Sequence, residues 1–446
     1  MVLKDLLITP ILLFLVFLGA YFLRNLFTDP LTRKYFIPGL SLKIIGAISI
    51  GLIYQFYYGG GDTFTYFTHG SRYIYEAFQD SPLKAFKLIF ANGEYHADTF
   101  KYATKIIFYR DLPSYFVIRI TGFFDLLTFH TYSATAVCFA VLSFSGLWAL
   151  FLTFYRMFPK LHMEFAIAVF FIPSVFFWGS GILKDPLTIC ALGWATWAFY
   201  EIFFRKRNIL VAIIVFLIST YVIYSIKIYI LLCFVPALMI WLFMVGMKRV
   251  RNPLAKAMII PFAASVMLVG IYLAILEIGE DNKRYNIKNV AETAEATARW
   301  LTFVSEREGG SAYSLGDFDY TPAGMMRKSH KAIWVTLFRP YLWEVKNIVM
   351  LLAALESFVF LLLTLYILIS SGFKFSIKYI TSSPVIIFCL IFAITFSFAV
   401  GISTYNFGSL VRYKIPMIPF YLSGLFILYH YSKSARKRGR FVRVEY

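Results

Sequence analysis

Apolar stretches long enough to cross a bilayer as helices recur along this chain, at about 6–23, 38–57, 131–154, 165–179, 186–204, 209–225, 229–246, 257–276, 347–369, 384–402 and 415–431. Roughly 17–25 such residues suffice for one crossing. The spacing predicts an all-α polytopic membrane protein of about eleven transmembrane helices, forming a single integral membrane domain over residues 1–446. Composition agrees, since only 15% of residues are charged, against about 25% in ordinary soluble domains. The net charge of +19 sits in short clusters between the apolar stretches. That distribution suits topology and contact with membrane lipids, and argues against a nucleic acid partner. Cys138, Cys190, Cys233 and Cys389 all fall inside apolar runs and read as small core residues, with no disulfide or metal framework. Leu6–Leu23 lacks a small-residue cleavage site and reads as a span and not as a cleaved signal peptide.

Two segments break the rhythm. Residues 58–112 are long and mixed in polarity, and Phe64–Phe78 and Pro82–Phe90 are expected to lie on the membrane surface as amphipathic helices. Residues 113–129 are apolar but carry Arg119 and Asp125, so they are expected to be half-inserted or packed on other helices. In the second segment, 277–345, Asn289–Val304 has helical composition and Glu308–Gly316 reads as a mobile loop, which together suggest a lid. Basic clusters at 24–34, 156–160, 205–207, 248–256, 374–378 and 433–443 fall on one side if the spans alternate, with almost no acids among them (Asp29 and Glu445). The positive-inside rule assigns that side to the cytoplasm. The N-terminus and both long segments are then extracytoplasmic, and the C-terminus is inside.

The outer face carries the chemistry. There the same alternation places Asp62, Lys184, Asp185, Lys227, Arg339, Trp343, Glu344, Arg412, Tyr413 and Lys414, at or near helix ends. An ionisable residue at that depth points to function, although structural ion pairs share the signature. Gly59-Gly60-Gly61 precedes Asp62 and lets the backbone approach a ligand closely. Asp62 is either the N-cap of a helix starting near Thr63 or a general base, with Tyr66 one turn on. Lys184 and Asp185 follow a tight re-entry at Gly179-Ser180-Gly181; they either snorkel and cap, or present a cation to phosphate where a helix begins. Arg339, Trp343 and Glu344 form either an interfacial aromatic belt or a phosphate clamp with a sugar-stacking ring. Glu356, deeper in the same span, is expected to pair with another helix. Arg412, Tyr413 and Lys414 open the last span against the topological bias, which a diphosphate or one of the acids would explain.

These residues resemble the integral-membrane GT-C glycosyltransferases, in which two long extracytoplasmic segments follow early spans and the first is led by an acid. Arg412-Tyr413-x-x-Pro416-x-x-Pro419 is similar to the arginine–tyrosine–proline segment of dolichyl-phosphate-mannose-type and aminoarabinose-type transferases. The Gly61-Asp62, Phe177-Trp178-x-Ser180-Gly181-x-x-Lys184-Asp185 and Phe338-Arg339-Pro340-x-x-Trp343-Glu344 elements look like those of a group of bacterial polytopic membrane proteins. The family usually carries paired acids after its first span, whereas Asp62 stands alone after the second. The resemblance implies Asp62 as catalytic base and Arg412 as a lipid-phosphate contact. It further implies a bacterial inner membrane, and transfer of a sugar from a polyprenyl-phosphate donor to a glycan, lipid or protein acceptor. No cofactor is required by these residues, although Asp62 could hold a divalent metal ion that bridges a phosphate. The competing expectations are a Wzy-like polymerase or ligase of lipid-linked glycans, and a non-catalytic transport or assembly subunit. Charge confined to one face disfavours transport.

Overall fold

The first helix is nearly all surface. In the computed structural model, α1 (Leu3–Phe27) buries only Asp5 and Thr9 of its 25 residues, and its leucines and phenylalanines face outward. Such a helix is stable only in an apolar surrounding. The structure describes residues 3–254, 258–261, 265, 290–307, 312–316 and 318–438. Among these, seven helices are long and apolar enough to cross a membrane, and no strand is present. The protein is thus an all-α membrane protein. The chain packs as two units, Met1–Ile228 and Tyr229–Tyr446.

In the first unit, α2 (Arg33–Phe56) leads through the three glycines to α3 (Asp62–Tyr66), which runs through a π-turn at Phe67–Ser71 into α4 (Arg72–Asp80). Then come α5 (Pro82–Phe90), the single turn α6 (Phe100–Ala103) and α7 (Leu112–Thr128). The two expected surface helices are therefore helical, the first with a π-turn at its centre. Next, α8 (Tyr132–Met157) is followed by a run in which one span was expected at 165–179. That run is instead α9 (His162–Ala166), a π-turn at Ile167–Phe171 and α10 (Pro173–Trp178). Pro173 lacks an N–H and pushes Ile172 into extended backbone (φ −78°, ψ 124°), which breaks the helix. The unit continues with α11 (Lys184–Tyr200) and enters α12 (Ile209–Arg249). The expected spans 209–225 and 229–246 form this single 41-residue run, interrupted where Lys227 leaves the helical region (φ −146°, ψ 75°). A helix of that length would measure about 60 Å, twice the hydrocarbon thickness, so a break is required.

The second unit holds the rest of α12, then α13 (Val290–Arg307), α14 (Pro322–Arg327), α15 (Ser329–Phe338), α16 (Ile348–Ser371), α17 (Phe373–Ser382), α18 (Pro384–Ser403), α19 (Phe407–Tyr413) and α20 (Ile418–Arg438). The span expected at 257–276 and the start of the loop expected at Glu308–Gly316 lie largely outside the described residues.

Glycines set the closest approach in the first unit. Helices α8 and α11 run parallel, and a Cβ on Gly146 would stand 2.1 Å from the Cys190 carbonyl oxygen. One on Gly193 would stand 2.0 Å from the Gly146 carbonyl oxygen. Small residues let membrane helices approach backbone to backbone. Deep in α2, Lys43 is buried and donates to the carbonyls of Val175 (3.0 Å) and Gly179 (2.7 Å) at the end of α10.

The unit has two distinct ends. At one, Trp148 donates to the Phe27 carbonyl (3.2 Å), Tyr35 bonds His162 (2.7 Å), and buried Glu201 accepts from Arg156 (2.7 Å) and Arg205 (2.8 Å). These contacts gather the clusters at 24–34, 156–160 and 205–207. At the other end Asp5 accepts from Ser133, Thr63 bonds Tyr132, and Lys227 pairs with Asp185. Within the second unit, Tyr379 stacks on Tyr431 (5.6 Å) beside Lys378 and Lys433, while Lys414 donates to Ser357 (3.0 Å) at the opposite end.

Gly146→Ala is expected to lower stability by about 1–3 kcal/mol through forced separation of α8 and α11. Gly19→Ala, where a Cβ meets nothing within 4 Å, should leave it unchanged. Thermal unfolding of both variants in detergent measures the contrast.

Candidate functional site

Asp62 is exposed, at the first position of α3. The cap position expected for Asp62 belongs to Gly61 instead, whose carbonyl accepts from Phe64 and Thr65 amides (3.1 and 2.9 Å). Gly59, Gly60 and Gly61 have φ of 69°, 144° and 128°, a region that side chains disfavour. A Cβ on Gly61 would also lie 2.6 Å from the Tyr54 ring. The glycines are therefore required by the turn that presents Asp62. Just below, Thr63 is fully buried on the Tyr132 hydroxyl (2.7 Å), and Phe64 stacks on the same ring (4.5 Å, 19°). Tyr66 is buried and tilts against Phe108 (5.8 Å), so it supports α3 from inside. Burial pushes the Tyr58 phenol above its ordinary value, and Tyr57 beside it pushes the same way. Arg72 pairs with Glu76 on the exposed face of α4 (2.9 Å).

The re-entry motif separates into two environments. Asp185 has no exposed surface and pairs with Lys227 at the break in α12. Lys184 keeps about a fifth of its side chain exposed (21%) and lies 4.0 Å from Asp111, whose carboxylate also accepts from Ser114. The structure thus brings Lys227 to Asp185, one on each side of the unit's polar end. Lys184 is the more exposed of these two lysines.

A polar knot near α3 was not anticipated as such. Asp125, fully buried on α7, accepts from Ser71, from Thr135 (2.7 Å) and from His130 (2.9 Å). The His130 ring lies flat between Phe67 (4.2 Å, 3°) and Tyr75 (5.5 Å, 21°). An acid inside an apolar run was the available signal. Its three donors come from positions 54 residues earlier and 5 and 10 later, which periodicity does not reveal.

In the second unit Arg339 pairs with Glu344 through both ends of its guanidinium. Glu344 also accepts from the Tyr341 amide (2.8 Å). Rings of Phe407, Tyr341 and Tyr313 lie 5.0, 5.6 and 5.8 Å from the guanidinium carbon, an arrangement that favours a cation. Burial raises the Tyr313 phenol, while a hydrogen bond from the Tyr405 backbone and the charge of Arg339 oppose it. Trp343 is 81% exposed and stacks on Tyr341 (4.7 Å, 27°). Lys414 is buried on Ser357 and faces Glu356, the partner expected from another helix. Ser357 in turn donates to the Arg339 carbonyl (3.0 Å). Arg412 and Tyr413 are half-buried in the last turn of α19. Among the described residues no three His, Cys, Asp or Glu side chains gather as a metal site would need. A divalent ion on Asp62 would take its other ligands from phosphate and water.

Lys227→Met should destabilise the protein by about 3–5 kcal/mol, because it strands the Asp185 carboxylate, and the double variant with Asp185→Leu should recover most of the loss. Thermal unfolding of the single and double variants checks this. A double variant as unstable as the single would mean the pair is not the main partner of either group.

Comparison of the chain with protein-family models, with curated proteins and with solved structures found no match.

Proposed function

We propose that this protein is a membrane glycosyltransferase that moves a sugar from a polyprenyl-phosphate donor to an extracytoplasmic acceptor, with Asp62 as general base. The observation that carries the reading is the presentation of Asp62. It is an exposed carboxylate at the end of the first unit away from the basic clusters, held on a turn that only glycine accommodates. With the basic end in the cytoplasm, Asp62 faces the outside of the bacterial inner membrane. There a carboxylate takes the proton of the acceptor hydroxyl as the glycosidic bond forms. Departure of the lipid phosphate needs cations, which is an electrostatic task. Lys184, a fifth exposed at the start of α11, is a cation placed for that role.

Two other readings rank lower. A polymerase or ligase that relies on loop arginines is less supported, because Arg339 is engaged by Glu344. A transporter needs polar groups facing a path through the hydrocarbon, and Lys43 is instead enclosed by two carbonyls.

Transfer from a radiolabelled polyprenyl-phosphate sugar to a lipid-linked acceptor tests the reading. Asp62→Asn should lower the rate by about 10²–10⁴, the usual worth of a general base, with melting unchanged. Equal rates for the two proteins would remove Asp62 from the chemistry.

A further inference from the structure

The basic end of the second unit carries more than charge. On α16, Val359, Leu362, Tyr366 and Ile369 recur at three- and four-residue spacing, so they share one face, and all four are exposed. An exposed apolar stripe of this kind on a membrane helix faces hydrocarbon. Near the last turn the stripe meets the phenol of Tyr366, which lies 3.2 Å from the Tyr429 hydroxyl on α20, the two rings 5.8 Å apart. From Tyr429 the same face of α20 continues to Lys433 and Arg436, four and seven residues on. The Lys433 ammonium lies 5.9 Å from the centre of the Tyr429 ring. The charges of Lys433 and Arg436 both act on the Tyr366 phenol. No ion pair among the described residues takes in either cation. The adjoining helix α17 marks the level of the membrane surface, since it exposes Phe373 and Ile377 on one side and Lys374 and Lys378 on the next. Two phenols and two cations thus stand where an exposed apolar stripe ends.

Topology requires only the charges. It does not account for the phenols. Of the two phenolic protons, one makes the bond between Tyr366 and Tyr429, and the other is left to donate outward. Lys433 and Arg436 are donors with no acceptor of their own. The cluster therefore suits an anion with several oxygen acceptors, and its place at the end of the stripe suits an anion attached to acyl chains. We propose that Tyr366, Tyr429, Lys433 and Arg436 seat the phosphodiester of an anionic glycerophospholipid, with one acyl chain along Leu362 and Val359. Basic pockets between spanning helices bind lipid headgroups in this way. A headgroup that carries its own ammonium, as phosphatidylethanolamine does, would bring that charge against Lys433 and Arg436. With the basic clusters in the cytoplasm, the seat belongs to the inner leaflet, whereas the proposed sugar transfer takes place outside. The inference therefore stands independently of the glycosyltransferase reading.

The test is native mass spectrometry of the full chain in detergent. The lipids are phosphatidylglycerol and phosphatidylethanolamine with the same chains, and a polyprenyl phosphate as competitor. Wild type should bind phosphatidylglycerol about tenfold more tightly than phosphatidylethanolamine, through two cations beside an anionic headgroup. Lys433→Gln combined with Arg436→Gln should abolish that preference. Tyr366→Phe combined with Tyr429→Phe keeps both charges and the ring packing, and should weaken phosphatidylglycerol about fivefold through lost hydrogen bonds. Lys206→Gln combined with Arg207→Gln removes the same charge from the first unit's basic end and should leave the preference intact. Equal binding of the two lipids by wild type would overturn the proposal. So would a preference that falls as far in the Lys206 and Arg207 variant, since diffuse charge would then suffice. Unchanged affinity in the phenylalanine variant, or displacement of phosphatidylglycerol by polyprenyl phosphate, would overturn it too. Absence of sugar transfer would sink the enzymatic reading and leave these ratios as they are.

Discussion

Lys43 and the carbonyls of Val175 and Gly179 resolve a problem that the rest of the first unit depends on. A helix that stops inside the hydrocarbon leaves its last carbonyls without donors, and no water is present to serve them. Helix α10 stops in this way, at Gly179. An ammonium is the best available cap, because it donates several bonds and meets the negative end of the helix dipole. Ser143 supplies a second donor to Gly179 (2.7 Å). The requirement then propagates. A Cβ on Gly179 would stand 2.7 Å from the Lys43 nitrogen, and one on Gly181 would meet Ile50 at 2.9 Å, so the turn is built from glycine. Only after that turn can α11 begin with Lys184 and Asp185 at the unit's polar end.

Several buried ionisable groups among the described residues are engaged by their own chain. Glu201 bridges two arginines at the basic end, Asp185 holds Lys227 where α12 breaks, Asp125 collects three donors, and Glu344 clamps Arg339. In a membrane interior this is expected, since an unpaired buried charge costs far more than the pair contributes. It also sorts the residues that an outer-face reading groups together. Asp62 differs from Asp185 in exposure and in the turn that carries it. Lys184 differs from Lys227 in the same sense, because a fifth of its side chain is exposed (21%) and its contact with Asp111, at 4.0 Å, is partly solvated.

What was legible in the sequence was local. Apolar runs marked α1, α2, α8, α11, α16 and α18, since length and composition suffice for a span. The break near Lys227 was visible as a lysine between two apolar stretches, and the glycine-to-Asp62 turn was visible in its residue types. Arg339 and Glu344, five positions apart, were within reach of a sequence reading. What was not legible involved partners far along the chain. Lys43 vanished into an apolar run because average hydropathy tolerates one cation, and its carbonyl partners are 132 and 136 positions later. Asp185 and Lys227 were both singled out, yet their pairing across 42 positions needed the fold.

The same limit explains why α1 misleads. By hydropathy it is among the plainest spans of the described residues, and nothing in that pattern distinguishes Asp5 and Thr9 from interfacial decoration. In the fold they are its only two buried residues, four apart and therefore on one face. A helix that contacts its own protein through polar groups, while its apolar groups face lipid, inverts the arrangement of a soluble helix. Its docking depends on hydrogen bonds such as those from Ser133 to Asp5, because lipid competes on equal terms for every leucine.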